Sequence, residues 1–303
     1  MASAIGTLSP QSRTEPVAGT PVELADGIVR LTAPNASAYT FTGTNCYLIG
    51  VDRVAVVDPG PDDSRHLKAL LAVIDGRPVE AIILTHTHRD HTDLVRRLKR
   101  KTGAPVWSGG PHRLYRRAGP LERLALRRSC DFGLMPDEVI ADGTTLSVDG
   151  ITLAAIAAPG HCANHFAFGI TGSPFLLSGD HVMGWSSTVI APPDGDMRDY
   201  LASLDKVIVS PFSYYLPGHG DTIPEGRRHA RQLLGHRLER NQQVLDALAE
   251  GPRDIPTLVA KIYTGLSPAL RSAAAKTVEA HLDYLAKMGL VKRRRFGGRY
   301  ALM

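Results

Sequence analysis

The chain has 303 residues, of which 43% are hydrophobic and 21% charged, and its formal net charge at neutral pH is +5. That apolar content suffices for a sizeable core, while no apolar run reaches the roughly 20 residues that a bilayer crossing requires, so no membrane partner is expected. The three cysteines, Cys46, Cys130 and Cys162, are an odd number without C-x-x-C spacing, which argues for reduced thiols and against a disulfide framework.

Residues 1–20 are small and polar, carry Pro10 and Pro16, and lack the apolar centre of a signal peptide. They predict a flexible tail on a cytoplasmic protein. Short strands are expected over Gly27–Thr32, Asn45–Gly50 and Val54–Val57, the last ended by Asp58-Pro59-Gly60. Leu67, Leu70, Leu71 and Ile74 then mark one face of a helix that Gly76 closes. The apolar run Ala81-Ile82-Ile83-Leu84 predicts a buried strand over 81–85, leading into Thr85-His86-Thr87-His88-Arg89-Asp90-His91. Leu94 and Leu98 follow at helical spacing, so the His-x-His-x-Asp-His cluster falls on a strand-to-helix turn. Imidazoles and carboxylates crowded on such a turn are what a metal site needs.

Pro105–Ser108 reads as a strand and 111–128 as a basic, partly helical excursion. Strands at about 139–140, 145–148, 151–156, 166–170 and 174–178 are separated by Gly and Asp turns. Leu201, Leu204, Val207 and Ile208 form a helix face, and Tyr214–Leu216 is a last strand. No internal repeat is visible, and the mixture is α/β or α+β. From His236 the pattern turns helical, with Leu238, Val244, Leu245 and Leu248 stopped by Gly251-Pro252. Thr257 is expected to cap a short helix over Leu258–Tyr263, and Ser267-Pro268 to open a longer one ended by Gly289. Leu290–Leu302 predicts a hairpin turning at Gly297-Gly298, which completes a small winged-helix-like domain. Expected boundaries are thus a tail over 1–20, a catalytic domain over 21–235 and the winged-helix-like domain over 236–303.

Charge is unevenly placed. Residues 96–128 carry eleven Lys/Arg against the single acid Glu122, and 236–303 carry twelve against six. Such regions suit an anionic partner such as single-stranded RNA or a small anionic ester, although solvated helix faces also produce them. Lys292, Arg293, Arg294, Arg295 and Arg299 on the hairpin are the candidate phosphate contacts. Dimerisation, which would make a homodimer, or covering of the pocket are the other roles expected for this domain.

Three further metal-donor candidates each end a strand or turn: His161 after Pro159-Gly160, Asp180 after Ser178-Gly179, and His219 after Pro217-Gly218. With the cluster they make five histidines and two aspartates, enough for two metal ions sharing one carboxylate. Cys162 reads as a packing residue, and His181, pointing away from Asp180, as structural. His165 could contact substrate, support a ligand or be an ordinary hydrogen-bonded histidine. Asn45 and Tyr215 are candidates to line the pocket.

His86/His88/Asp90/His91, then His161, Asp180 and His219, in that order and with Asp58 in Asp-Pro-Gly, resemble the metallo-β-lactamase superfamily over about residues 22–235. The resemblance implies a four-layer αβ/βα sandwich with metals at one edge of its two sheets. It places His86, His88 and His161 on one ion and Asp90, His91 and His219 on the other, with Asp180 bridging and Asp58 orienting a ligand. Asp90 and Asp180 are the candidate catalytic carboxylates. Two Zn2+ suit this set, and Fe or Mn could occupy it. Solvent held between two such ions deprotonates near neutral pH to become the nucleophile. A metallo-β-lactamase domain followed by a winged-helix-like domain is similar to the beta-lactamase-like protein 2 group, whose best-described members are endoribonucleases on single-stranded RNA. Gly184–Val189 and Tyr200–Leu204 fit that group, whereas Thr92-Asp93 stands where many relatives have a Gly pair. Hydrolysis of an RNA phosphodiester or of a small thioester, lactone or other ester, as in glyoxalase II-like enzymes, are the two catalytic expectations. A non-catalytic nucleic-acid-binding metal sensor is the third reading.

Overall fold

A computed structural model of the chain describes residues 16–265, 270–294 and 297–303. Two sheets face each other. The first runs β1 (Pro21–Ala25), β2 (Ile28–Thr32), β3 (Asn45–Ile49), β4 (Val54–Val57), β5 (Val79–Ile83), β6 (Val106–Ser108) and β7 (Glu138–Val139), in that spatial order. The second runs β12 (Tyr214–Pro217), β11 (Phe175–Gly179), β10 (Phe166–Ile170), β9 (Ile151–Ala157) and β8 (Thr145–Val148).

Side-chain alternation explains the layering. Along β3, β4 and β5, Tyr47, Ile49, Ala55, Val57, Ala81 and Ile83 point to the inter-sheet core, where they meet Leu153, Phe166, Phe168 and Leu177. Their neighbours Cys46, Leu48, Val54, Val56 and Ile82 point outward onto Leu67, Leu70 and Ile74 of α1 (Ser64–Ile74). A strand buried on both faces reads as a continuous apolar run, which is why these strands are visible in the sequence. Beyond the second sheet, Leu176 and Ala167 pack on Tyr200, Leu204 and Val207 of α5 (Met197–Val209) and on Ala230 and Leu233 of α6 (Gly226–Ala249). The result is the four-layer αβ/βα sandwich.

Several local expectations are corrected. β5 covers Val79–Ile83, not 81–85, because Val79 pairs with Val54 while Thr85 leaves the sheet to bond Asp58. Asp75, not Gly76, is the left-handed C-cap of α1. α7 (Ile255–Ile262) is capped by Asp254, whose carboxylate accepts the Thr257 N–H, so Thr257 lies inside the first turn. β1 carried no clear signal, being a half-exposed edge strand. α6 begins ten residues before His236 and runs through 235/236. Its first half belongs to the core of the second sheet, and its second half, with Val244, Ala247 and Leu248, packs on Leu258 of α7 and Val278 and Leu282 of α8 (Arg271–Lys287). β13 (Val291–Arg293) and β14 (Tyr300–Leu302) pair antiparallel beside these helices, completing a winged helix. The expected helix start at Ser267-Pro268, residues 1–15 and Arg295 lie outside the described residues. No helix among the described residues is long and apolar enough to cross a membrane.

Candidate metal centre

β9, β11 and β12 run the same way, since β9 and β11 each pair antiparallel with β10 and β12 pairs parallel with β11. Their C-terminal ends therefore meet at one edge, delivering His161, Asp180 and His219. The turn after β5 brings the rest, with His88 as N-cap of α2 (Arg89–Thr92). His86 Nε2, His88 Nδ1 and His161 Nε2 converge, the first two 3.0 Å apart and the last two 2.9 Å apart. Across from them, His91 Nε2 and His219 Nε2 lie 3.3 Å apart, and Asp90 Oδ2 is 3.4 and 3.2 Å from them. Asp180 stands between the two groups: Oδ2 is 3.6 Å from His161 Nε2 and 3.3 Å from His219 Nε2, while Oδ1 is 3.5 Å from His91 Nε2.

Hydrogen bonding alone does not account for these contacts. Each imidazole spends its far nitrogen elsewhere. His88 Nε2 bonds Asp194 at 2.7 Å, His161 Nδ1 the Val189 carbonyl at 2.9 Å, His91 Nδ1 Asp58 at 3.0 Å and His219 Nδ1 the Gly43 carbonyl at 3.2 Å. His86 Nδ1 meets Thr85 Oγ1 at 3.0 Å, and that hydroxyl donates to Asp58. Carbonyls and carboxylates only accept, so the nitrogens facing them carry a proton and the inward ones are the atoms left to ligate a cation. Ligand nitrogens about 2.05 Å from a tetrahedral ion lie about 3.3 Å apart, close to what is seen here. Asp180 Oδ1, buried with no hydrogen-bond partner among the described residues, adds to the evidence that the donor set can hold a metal ion.

Electrostatics agree. Burial alone would raise Asp180, yet His219 and His91 beside it hold its carboxyl well below the usual carboxylate range. Burial opposes a charged His219, but Asp180 brings it up to about 9. Burial, then His88, pushes His161 down to about 4. Ionised carboxylates thus face imidazoles that must shed protons when a cation enters. Gly218 permits the close approach: a Cβ there would lie 2.4 Å from Asp180 Oδ1.

Asp58 supports both groups of ligands, holding His91 directly and His86 through Thr85. His165 is buried and its Nε2 accepts the Asp180 N–H at 3.1 Å, so it backs a ligand rather than facing substrate. Asn45 does not line a pocket. Its amide donates to the carbonyls of Pro217 and Gly220, tying β3 to the loop that carries His219. Tyr215 is likewise corrected: it is fully buried, with its hydroxyl on the Val207 carbonyl. Cys162 is buried beside Asn164, and His181 beside Tyr200. On the hairpin, Lys292, Arg293, Arg294 and Arg299 are exposed, and among the described residues none forms an ion pair.

Sequence reasoning missed Asp194, which bonds His88 and has its second oxygen 3.2 Å from His112 Nε2. Its setting, Pro-Pro-Asp-Gly, looks like any turn. Arg237 was missed too. Buried in α6 with no acid paired to it among the described residues, it lies over Tyr200 and donates to the Thr188 carbonyl. The Thr188 hydroxyl in turn donates to the Asp180 carbonyl at 2.7 Å, and neighbouring Val189 holds His161. The helix leading into the C-terminal domain therefore props two ligands.

Residues 39–219, more than half of the chain, match the family described as the metallo-beta-lactamase superfamily. This chain belongs to the metallo-beta-lactamase superfamily. Residues 255–297 match the beta-lactamase associated winged helix domain. The chain is 29% identical over 286 residues to a "Beta-lactamase-like protein 2 homolog" of Caenorhabditis elegans, covering 91% of this chain and 90% of that one. It is 29% identical to an "Atrochrysone carboxyl ACP thioesterase" of Aspergillus fumigatus, covering 78% of this chain and 69% of that one. A metallo-beta-lactamase family protein of Thermus thermophilus superposes with a TM-score of 0.75 at 26% identity, over 93% of this chain and 100% of that one. The protein is thus a hydrolase of a superfamily that binds metal ions, with His/Asp clusters that can hold one.

In this metallo-beta-lactamase site Asp194 is the testable support. Asp194→Asn keeps the shape but removes the charge that fixes the His88 proton on Nε2. Metal affinity is expected to fall about ten- to hundredfold, as for other outer partners of metal ligands. Titration of the metal-free protein with Zn2+ checks it, and unchanged affinity would mean that Asp194 does not tune His88.

Proposed function

We propose that the protein is a dinuclear metal-dependent hydrolase, Zn2+ suiting its nitrogen and oxygen donors, and that it cleaves a thioester. The observation that carries the reading is Asp180, whose two oxygens lie within 3.6 Å of donors in both ligand groups. His86, His88 and His161 on one side and Asp90, His91 and His219 on the other, with Asp180 between, would hold divalent ions, which would supply Lewis acidity toward water and the scissile carbonyl. The chain's own residues do the rest. Asp90 is the most exposed ligand carboxylate, 32% accessible, and with Oδ2 toward His219 it keeps Oδ1 for the proton of the attacking water. Asp58, Asp194 and the carbonyls of Gly43 and Val189 hold the imidazoles so that no reorientation is needed at the moment of attack. A thioester makes the smallest demand on such a site, because a thiol of pKa about 8.5 leaves as thiolate without a general acid. The Aspergillus fumigatus relative, by its name, acts on a carrier-bound thioester.

RNA cleavage is the second reading, supported by the exposed Lys292, Arg293, Arg294 and Arg299 of the wing. The two are separated by giving metal-replete protein an acyl thioester and a labelled single-stranded RNA side by side. Thioester turnover that is lost on chelation, with the RNA intact, is the expected result. RNA cutting that weakens steeply with salt and in an Arg293→Ala/Arg294→Ala variant would replace the thioester reading by the nuclease one.

A further inference from the structure

A cavity opens in the region after β6 that leads to the metal centre. It has a volume of about 510 Å³ and is lined by Leu114, Arg116, Arg117, Ala118, Arg123 and Phe132. Its position follows from a chain of contacts. The Phe132 ring meets His112 edge-on at 4.7 Å, His112 Nε2 is 3.2 Å from Asp194, and Asp194 holds His88. Cys130, two residues before Phe132, pairs with His88 through a backbone bridge, and Tyr115 N–H donates to Pro193 O, next to Asp194. Two side chains, His112 and Asp194, therefore link the Phe132 wall of the cavity to the ligand His88.

Its chemistry is that of a receptor for phosphate attached to a flat ring. Arg116 is pre-set by two bonds to Glu122, at 3.0 and 2.9 Å, and lies 3.5 Å from Glu279 of α8. Arg117 and Arg123 are exposed and form no ion pair among the described residues. Guanidinium forks match phosphate oxygens, and the Phe132 and Leu114 walls offer apolar faces for stacking. The volume exceeds what a free phosphate needs and lies in the range of organic ligands. The helix bearing Arg123, α4 (Pro120–Ser129), has no buried residue, and Leu121 and Leu124 are 83% and 59% exposed. It owes its place to Cys130 and to the Arg89 guanidinium on the Arg127 carbonyl rather than to a packed face of its own.

We infer that this cavity binds the phosphorylated nucleotide handle of the thioester substrate, with phosphate on Arg117 and Arg123 and the base against Phe132. The inference rests on the thioester reading, and it makes the preferred substrate a nucleotide-bearing acyl thioester such as an acyl-coenzyme A. The probe is adenosine 3′,5′-bisphosphate, titrated calorimetrically into the metal-replete protein and into an Arg117→Glu/Arg123→Glu variant. Kinetics on an acyl-coenzyme A and on the same acyl group carried by N-acetylcysteamine, which has no phosphate, run alongside. The wild type is expected to bind the bisphosphate and the variant to lose that binding. The ratio of kcat/KM for the two thioesters should fall at least about tenfold in the variant, through KM. No bisphosphate binding by the wild type, or an unchanged ratio, overturns the inference. Competition for the cavity by single-stranded RNA oligonucleotides stronger than by the bisphosphate would overturn it in favour of an RNA path. If neither thioester turns over while the bisphosphate binds in an Arg117- and Arg123-dependent way, the thioester reading fails and the nucleotide site stands.

Discussion

Asp180→Asn is expected to lower turnover at least about a hundredfold, more than loss of an outer ligand partner costs, and, on the dinuclear reading proposed above, to reduce the bound divalent ions from two per chain to one. The reason is geometric. Among the described residues Asp180 is the carboxylate within reach of both groups, 3.6 Å from His161, 3.3 Å from His219 and 3.5 Å from His91. An amide keeps the volume, but it turns one of those oxygens into a donor aimed at an imidazole lone pair, and it removes the charge that sustains protonated His219 in the metal-free state. Elemental analysis for the bound metal, with circular dichroism to show that the fold survives, reads the outcome. Two ions per chain and near-normal turnover in the variant would sink the bridging role.

Gly160→Ala is expected to produce a large loss of stability from a one-methyl change. Gly160 has φ 133°, and a Cβ there would lie 2.3 Å from Tyr200 Cα and 2.4 Å from Tyr200 N, backbone atoms of α5 that cannot swing aside. Strain of the backbone costs about 1–3 kcal/mol. Forcing α5 away from the β9 end costs about 1–3 kcal/mol more, as overpacking does. At roughly 2–4 °C per kcal/mol for a chain of this size, Tm should fall by about 5–20 °C. Gly172→Ala is the control, since Gly172 also has positive φ, 79°, but nothing lies within 4 Å of its missing Cβ. Calorimetric melting of both variants separates the effects: equal shifts would mean that contact with Tyr200 is unimportant. Because His161 is the next residue, Gly160→Ala should weaken metal binding as well, whereas Gly172→Ala should not.

The layers and the donors were legible for a local reason. Strands buried on both faces, such as Val54–Val57, produce apolar runs within four or five residues, and four of the seven donors sit on one turn directly after such a run. His161, Asp180 and His219 each follow a Gly next to a strand end, again a local pattern. Helix ends were less legible: Thr257 was expected to cap α7, but the side chain that accepts an N–H of its first turn is Asp254, and Thr257 lies inside that turn.

What the tertiary structure alone decided is orientation: which nitrogen of each imidazole faces inward and what holds the other. Asp194 meets His88 across 106 residues and Asn45 meets the Gly220 carbonyl across 175, with a turn Asp and a strand-end Asn as their only local signatures. The same holds for Arg237, which looks like a surface arginine on a polar helix until α6 folds its face onto Tyr200 and Thr188. It holds for the cavity beside Phe132, which is brought near the metal centre by the His88–Cys130 bridge and by His112 on Asp194. Periodicity and turn chemistry are properties of adjacent residues and can be read along the chain. The partner of a buried polar group is set by sheets closing over one another, and until they close nothing distinguishes a group that will hold a ligand from one that will face water.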